Sequence, residues 1–271
     1  MDISKKCVCC ESQDLIKSPA VLMPFVAYRV FGWQPVEITD EWGLKTVKNG
    51  NAYSVCNSLQ CINCGLLFLD MRFNQDEIKS LYQGYGELNY TRTRQCFEPQ
   101  YEHGGCQNCG GGYVKDIEEF LLPHIEPDTV LDWGGGNGAN TPFKNSMIHI
   151  YDVSDNLPVE GVTLVDSPFG RYDLVVCSHV LEHVPYPYDV IMEIKKYMGD
   201  CLYIELPIED ITKATDKKYW HEHINFFTID SLYKLFERVG LSVVDYKLSD
   251  GIMGPRRKGF LYRLVLKKCI Y

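Results

Sequence analysis

The 271-residue chain lacks a long uninterrupted apolar segment. Its longest apolar run, from Ala20 to Trp33, contains Arg29 and is shorter than the roughly 20 residues that a helix needs to cross a bilayer. The first ten residues, MDISKKCVCC, contain no apolar signal core. From these absences we expect a cytoplasmic protein that does not insert into a membrane.

The chain also has little positive charge, with 27 Lys and Arg against 36 Asp and Glu and a net charge of −9. Arg256-Arg257-Lys258 is its only tight basic cluster. A nucleic-acid partner is therefore disfavoured, because such partners are bound by basic stripes or patches. A hydrophobic content of 45% and this length are typical of a globular protein with a sizeable core.

Cysteine, in contrast, is abundant, and four of the twelve form two CxxC pairs. Each pair places two sulfurs on one tight turn, and two pairs supply the four thiolates of a tetrahedral zinc site. We predict structural zinc at Cys7, Cys10, Cys61 and Cys64. Because protein ligands would fill all four positions, this metal would have no catalytic role.

Other cysteines leave alternatives open. Cys9 or Cys56 could replace one of the four ligands, and the four could instead be buried free thiols. Cys106 and Cys109 form a third CxxC pair, for which no fourth pair completes a second site. The spacing does not assign a role to that third pair.

The sequence Thr129 to Asn140, TVLDWGGGNGAN, predicts a buried strand, an acidic residue (Asp132) and a glycine turn. Glycines at 134, 136 and 138 allow a sharp turn and leave main-chain N–H groups open to a ligand. If a helix begins after the turn, its N-terminus adds an anion site. The spacing Gly134, Gly136 and Ala139 also fits a dinucleotide fingerprint, and a purely structural turn is a third interpretation.

Downstream, short apolar segments alternate with helical patterns, which favours an α/β fold. Three aspartates, Asp132, Asp152 and Asp166, stand at or beside the ends of predicted strands, where such sheets bind ligands. We predict an N-terminal zinc module over residues 1–75, a connector and Gly-rich linker over 76–112, and an α/β domain over 113–271. The connector is rich in Tyr and Arg. It is interpreted either as a solvated linker or as a flap over the site, and the flap would supply an arginine to bind a phosphorylated substrate.

Four segments of the α/β part, VLDWGGGNG, YDVSD, VDSPF and YDLVVCSHVLEHVPYP, resemble successive motifs of class I methyltransferases that use S-adenosylmethionine. This resemblance implies a Rossmann-like sheet. It also implies cofactor contacts, in which the glycine turn (Gly134, Gly136, Gly138) holds the methionine portion with Asp132 near its amino group. Asp152 would bind the ribose hydroxyls and Asp166 would approach the adenine. Ser178 and His179, after the fourth strand, would also contact the cofactor.

The zinc module, the tyrosine-rich connector and the segment YWHEHINFF are together similar to sugar methyltransferases acting on nucleotide sugars or surface-polysaccharide precursors. In that group a Tyr-x-Glu-His segment assists proton removal, which here implies catalytic roles for His223 and Glu222, with His221 and Tyr219 beside them. Trp220 occupies the expected tyrosine position, which favours methylation at oxygen over carbon. Independently of the family, a histidine is well suited to take a hydroxyl proton near neutral pH. Packing around the following helix is the alternative role for His221 and His223.

We therefore expect a zinc-containing, S-adenosylmethionine-dependent methyltransferase that acts on a small sugar or glycan precursor. Three other functions stay open. An RNA methyltransferase with a zinc module is disfavoured by the acidic charge, and a nicotinamide-dependent enzyme is disfavoured by the aspartates and the LEH run. A non-catalytic protein with this fold is the last alternative.

Overall fold

A computed structural model describes residues 1–33, 36–38, 50–52, 55–97, 101, 111–154, 156–208, 220–221, 223–252 and 258–269. The predicted catalytic residues Tyr219 and Glu222, and the third CxxC pair, lie outside these ranges. Within the described residues, no helix is both long enough and apolar enough to cross a membrane.

Of the first hundred residues, those that the structure describes form short strands and three helices. Their bounds are β1 (Asp2–Ile3), β2 (Leu15–Leu22), α1 (Pro24–Phe31), β3 (Val36–Ile38), β4 (Gly50–Ala52), β5 (Val55–Cys61), β6 (Leu67–Leu69), β7 (Met71–Arg72), α2 (Gln75–Tyr82) and α3 (Leu88–Gln95). Helix α2 starts at a capping box, in which the Asn74 side chain accepts from the Glu77 N–H and Glu77 accepts from the Asn74 N–H. The apolar run from Ala20 to Trp33 thus becomes the end of β2 and helix α1.

The rest of the chain is a strand-rich α/β region. Its elements are α4 (Gly111–Leu121), β8 (Thr129–Trp133), β9 (Met147–Tyr151), β10 (Val162–Leu164), β11 (Tyr172–Ser178), α5 (Pro187–Tyr197), β12 (Met198–Ile208), β13 (Trp220–His221), β14 (Asn225–Phe226), α6 (Ile229–Val239), β15 (Leu241–Ile252) and β16 (Lys258–Lys268). Helix α6 begins at Thr228, which caps it, and ends at Gly240 in the left-handed region, as its sequence predicts.

Seven of these strands form one sheet in the order β10-β9-β8-β11-β12-β16-β15. Strands β8 to β12 pair in parallel, whereas β16 is antiparallel to both β12 and β15. The predicted Rossmann-like sheet is therefore confirmed, with a mixed edge. Because the first five strands are parallel, their carboxyl ends lie along one edge of the sheet.

No helix follows the glycine turn. Residues 134–146 join β8 to β9 through turns alone. The stretch contains four glycines and Pro142, and Phe143 has a left-handed φ of 58°, so a regular helix cannot propagate through it. Any anion bound there must be held by turn N–H groups instead of a helix N-terminus.

A second sheet joins the two halves of the chain. Its strand order is β13-β2-β5-β6-β14, so that β13 and β14 come from the α/β half and flank three N-terminal strands. Strand β13 runs parallel to β2, and β14 runs antiparallel to β6. The segment that carries His221 and His223 is therefore built into the N-terminal sheet. The predicted domain bounds stay predictions.

The main hydrophobic core crosses the same junction. Buried side chains of the N-terminal part, among them Leu66 and Phe68, share one cluster with Ile204 of β12 and Phe236 of α6. The connector is packed as well, since Tyr90 is 5% exposed and Arg94 is 6% exposed. Arg94 lies over the rings of Phe25 and Tyr101, so it contributes to packing and does not point freely toward solvent.

Candidate active site and metal centre

The glycine turn lies at the carboxyl end of β8 and requires glycine for steric reasons. Gly134 and Gly138 have φ values of 77° and 79°. A Cβ on Gly134 would stand 2.5 Å from Val180 Cγ2, and one on Gly138 would stand 2.5 Å from Ile150 Cδ1. The turn is thus pressed against β9 and the segment after β11, with no room for a side chain.

Asp132 lies beneath this turn and is 5% exposed. Its Oδ2 accepts a hydrogen bond from Thr141 Oγ1 at 2.5 Å. Burial raises the pKa of Asp132 to about 6, and the hydrogen bond from Thr141 offsets only part of that shift. A carboxylate in this setting gains from a nearby cationic amino group, because a positive charge relieves the cost of its burial.

The other two aspartates follow β9 and β10, as predicted. Asp152 Oδ2 accepts from the Gly136 N–H at 2.8 Å, and its Oδ1 accepts from the Ser154 N–H at 2.6 Å. The side chain therefore fixes the turn and retains further acceptor capacity for a hydroxyl. Asp166 is exposed at the same edge.

If Asp152 binds the ribose hydroxyls, as the resemblance implies, replacing it by alanine should weaken S-adenosylmethionine binding by about 1–3 kcal/mol, because the Gly136 N–H and those hydroxyls would lose their acceptor. Calorimetric titration measures this change. Glu160→Ala, at an exposed acid in the same segment, is the matched control and should bind like the wild type. Equal affinities for both variants would remove Asp152 from the cofactor site.

Glu205 on β12 is fully buried and is hydrogen-bonded to polar groups of several elements. It accepts hydrogen bonds from Tyr113, from Ser178 Oγ at 3.1 Å, from Tyr203 at 2.8 Å and from Arg263 Nε at 2.7 Å. Burial alone would raise the pKa of Glu205, but hydrogen bonds and positive charge from His179, with Tyr113 and Arg263, lower it to about 2. Ser178, a predicted cofactor contact, is therefore oriented by a permanent carboxylate.

His179 links Glu205 to a second buried acid. Its Nε2 lies 3.4 Å from Glu205 Oε1, and its Nδ1 lies 3.3 Å from Glu182 Oε1. Desolvation would lower the pKa of His179, whose side chain is 40% exposed, but its contacts with both carboxylates and their charge raise it to about 10. The protonated form of this imidazole is therefore favoured near neutral pH, so His179 is poorly suited to act as a base. Its backbone has a left-handed φ of 54°, which is uncommon outside glycine.

His223 meets His183 and Glu182 at the junction of the two sheets. The ring centroids of His183 and His223 are 4.7 Å apart with nearly perpendicular planes. One ligand-type atom from each of Glu182, His183 and His223 lies within 4.8 Å of the others. Burial would raise the pKa of Glu182, but the contact with His179 and the nearby His183 and His223 side chains lower it to about 2. An anion therefore stands beside both imidazoles.

Asn225 explains why these groups converge. Its side chain accepts from Arg72 Nη2 at 2.6 Å and donates to the carbonyls of Leu181 and Val184 at 2.9 and 2.7 Å. The Glu182 carbonyl in turn accepts from the Ile224 and Asn225 N–H groups. One buried amide thus ties the loop after β11 to β14 and to the N-terminal part.

The other predicted catalytic residues are Tyr219, Glu222 and His221. Tyr219 and Glu222 lie outside the described residues, and of His221 only the backbone in β13 is described. The connector supplies aromatic neighbours to His183. Tyr82 packs edge-on against His183, and Tyr85 packs edge-on against Tyr82.

The structure brings the four predicted zinc ligands together. Cys7 Sγ lies 3.5 Å from Cys64 Sγ, Cys10 Sγ lies 3.5 Å from Cys61 Sγ, and all four sulfurs lie within 4.8 Å of one another. A tetrahedral zinc with Zn–S bonds of about 2.3 Å has sulfur–sulfur edges of about 3.8 Å. The cluster fits that geometry.

The two alternative ligands are placed elsewhere. Cys9 is buried beside the cluster but is not among its four sulfurs, and Cys56 belongs to a different hydrophobic cluster, with Ala20 and Phe25. The Cys64 thiol, as a hydrogen-bond donor, holds the pKa of Cys7 far below its ordinary value. A thiolate is the form that binds zinc.

Helix α6 packs on the cysteine turns. Thr228 Oγ1, its N-cap, donates to the Cys64 carbonyl at 2.6 Å. Further along the helix, Lys234 donates to the Asn63 carbonyl and Arg238 to the Cys9 carbonyl. The cysteine cluster therefore positions the helix that directly follows the His223 segment.

A parallel Rossmann-like sheet with a glycine turn after its first strand and acids after the next two defines a class I S-adenosylmethionine-dependent methyltransferase domain. A methyltransferase-domain family model matches residues 108–246, which is more than half of the chain. The chain belongs to that family.

Solved structures with similar folds are distant in sequence. Magnesium protoporphyrin IX methyltransferase from Synechocystis PCC 6803, with bound SAM, is 15% identical over 69% of this chain and 96% of its own, with a TM-score of 0.47. The 1,6-didemethyltoxoflavin-N1-methyltransferase of Burkholderia thailandensis is 18% identical over 65% of this chain and 87% of its own, with a TM-score of 0.48. No curated protein matches the sequence.

Sequence reasoning missed the partners of His223. It named Glu222 beside this histidine, and that residue lies outside the described ranges; in the described structure Glu182 and His183 lie beside His223. The run LEH after the fourth strand was the available signal, but its side chains could equally have faced solvent or the core. Glu205 and Asn225 had no signal, because a single buried polar residue in an apolar segment does not indicate its distant partners.

Proposed function

We propose that this methyltransferase transfers a methyl group to a hydroxyl of a small sugar or glycan precursor, with His223 as the general base. The observation that carries this proposal is the convergence of His223 with Glu182 and His183 beside the carboxyl ends of the sheet. S-adenosylmethionine supplies an electrophilic methyl group on a sulfonium. The protein must hold the acceptor in line with it and remove one proton.

His223 is suited to accept that proton. As the oxygen–carbon bond forms and the carbon–sulfur bond breaks, the hydroxyl proton passes to the imidazole, which becomes a cation. Glu182 is an anion with its carboxylate near both imidazoles, so it stabilises the charge that develops there. His179 is already protonated and serves as a fixed cation between Glu182 and Glu205.

The sugar class is supported by the similarity of the YWHEHINFF segment to sugar methyltransferases and by the aromatic groups near His183. Tyr82 and Tyr85 present rings at this position, and Tyr85 is 45% exposed. Aromatic faces with a few polar groups suit a small ligand that has both hydroxyls and an apolar ring face. The net charge of −9 speaks against an RNA acceptor.

We further propose that Cys7, Cys10, Cys61 and Cys64 hold structural zinc. The sulfur positions and the contacts from the cluster to α6 support this role. Zinc content of the purified protein tests it, with about one equivalent expected per chain.

The acceptor assignment is tested by incubating the protein with S-adenosylmethionine and either a panel of nucleotide sugars or a folded RNA. Release of S-adenosylhomocysteine together with a sugar product heavier by one methyl group is the expected result. A methylated RNA would overturn the sugar assignment. Tight cofactor binding without turnover on any acceptor would favour the non-catalytic alternative.

Cofactor affinity should also depend on pH through Asp132. The pKa of Asp132 is about 6 in the free protein, so protonation below that value removes the carboxylate that we place near the cofactor's amino group. One linked proton weakens binding by at most about tenfold per pH unit. Titrations at pH 7.5, 6 and 5 should show this loss.

The variant Asp132→Asn is the control for that titration. It should bind more weakly at pH 7.5 and show no such loss between pH 6 and 5. The pKa of Asp132 is raised in the folded protein, so its ionised side chain destabilises the free protein above pH 6. The variant does not carry this charge and should therefore not melt at a lower temperature than the wild type at pH 7.5. A variant with the wild-type pH profile would place the titrating group elsewhere.

A further inference from the structure

We propose that Glu182, His183 and His223 form a binding site for a divalent transition-metal ion, separate from the four-cysteine cluster. Two imidazoles and one carboxylate are a ligand set that zinc and related divalent ions accept, with positions left open for water or an acceptor oxygen. The three candidate ligand atoms lie within 4.8 Å of one another. A modest contraction would bring them to bonding distance from one ion.

The carboxylate is the strongest indication of a ligand. Glu182 is 1% exposed, and neither of its oxygens makes a hydrogen bond of normal geometry with a side chain or backbone group in the described residues. His179 Nδ1 lies 3.3 Å from its Oε1, in an ion-pair contact. A buried carboxylate with this little hydrogen bonding is costly, and a metal ion would supply the missing interaction.

The surroundings also match a metal site. Metal-bound carboxylates are usually oriented by a hydrogen-bonding neighbour, and His179 Nδ1, which lies 3.3 Å from Glu182 Oε1, is positioned to provide this contact. The loop of Glu182 and His183 is fixed to the segment of His223 by backbone bonds from Ile224 and Asn225 to the Glu182 carbonyl. The ligands are therefore held close before any ion binds, which reduces the ordering cost of binding.

Ligand chemistry separates this site from the cysteine cluster. Four thiolates favour zinc strongly, whereas nitrogen and oxygen ligands accept cobalt, nickel or zinc in the Irving–Williams order. A metal at Glu182, His183 and His223 would occupy the nitrogen lone pairs that the proposed base needs. Metal loading should therefore slow methyl transfer to a hydroxyl acceptor, and a chelator that leaves the cysteine site intact should restore it.

The inference does not rest on the proposed function, because metal binding is measured without an acceptor. Zinc-replete protein is titrated with Co²⁺ and followed by visible absorbance. We expect one further saturable equivalent with the spectrum of nitrogen and oxygen ligands and no thiolate-to-cobalt charge-transfer band. His183→Gln and His223→Gln should each abolish it, and His179→Gln should weaken it by about 10- to 100-fold.

His124→Gln is the matched control, since this histidine pairs with Asp245 and does not belong to the cluster. It should retain the extra equivalent. Glu182→Gln keeps the shape of the side chain while removing its charge. For every variant, retained zinc at the cysteines shows that the protein is folded. Absence of saturable binding, equal binding in all variants, or a thiolate-to-cobalt band would each overturn the proposal.

Discussion

Replacing Cys61 and Cys64 together by serine is expected to abolish zinc binding at the proposed site and to unfold the N-terminal half of the molecule. Structural zinc contributes about 10–16 kcal/mol of binding free energy in small zinc modules, which is as large as the whole stability of a typical domain. The effect should extend beyond the cluster, because Thr228 donates to the Cys64 carbonyl and β14 pairs with β6. Metal analysis and thermal unfolding measure both losses.

Turnover should fall with the zinc, since His223 lies between two strands that belong to the N-terminal sheet. Cys96→Ser is the matched control, because this exposed thiol lies outside the cluster. It should keep the wild-type zinc content and melting temperature. A double variant that stays folded and active without zinc would show that the cysteines are ordinary buried thiols.

The second large effect is expected at His223. The variant His223→Gln removes the proposed base while leaving a polar side chain, and general-base assistance accounts for about 10²- to 10⁴-fold in rate. We therefore expect kcat on the preferred acceptor to fall by that range. Cofactor affinity should change little, because His223 belongs neither to the glycine turn nor to the hydrogen bond between Gly136 and Asp152.

The experiment separates a base from a packing residue. A packing defect would lower thermal stability together with kcat, whereas loss of a base lowers kcat alone and removes the acidic limb of the pH–rate profile. His124→Gln, at a histidine paired with Asp245, should behave like the wild type in both measurements. If His223→Gln turned over normally, His223 would be assigned to packing around the start of α6.

Local patterns predicted much of the fold. Helix α6 follows from its apolar spacing, from Thr228 before it and from Gly240 after it, and the structure has those bounds. The glycine turn and the aspartates at the ends of β9 and β10 are also local, since each depends on a few neighbouring residues. No helix follows that turn, because Pro142 and the left-handed Phe143 favour turns in this short connection.

The sequence by itself determined the chemistry that is available: two CxxC pairs, a glycine turn with acids at strand ends, and histidines in two separate segments. Only the tertiary structure decided which of these groups meet. Arg72 and Asn225 are 153 positions apart, yet their hydrogen bond joins β7 to β14 and helps to bring His223 to Glu182 and His183. Such a contact depends on strand pairing between distant segments, and a local pattern of residues does not predict that pairing.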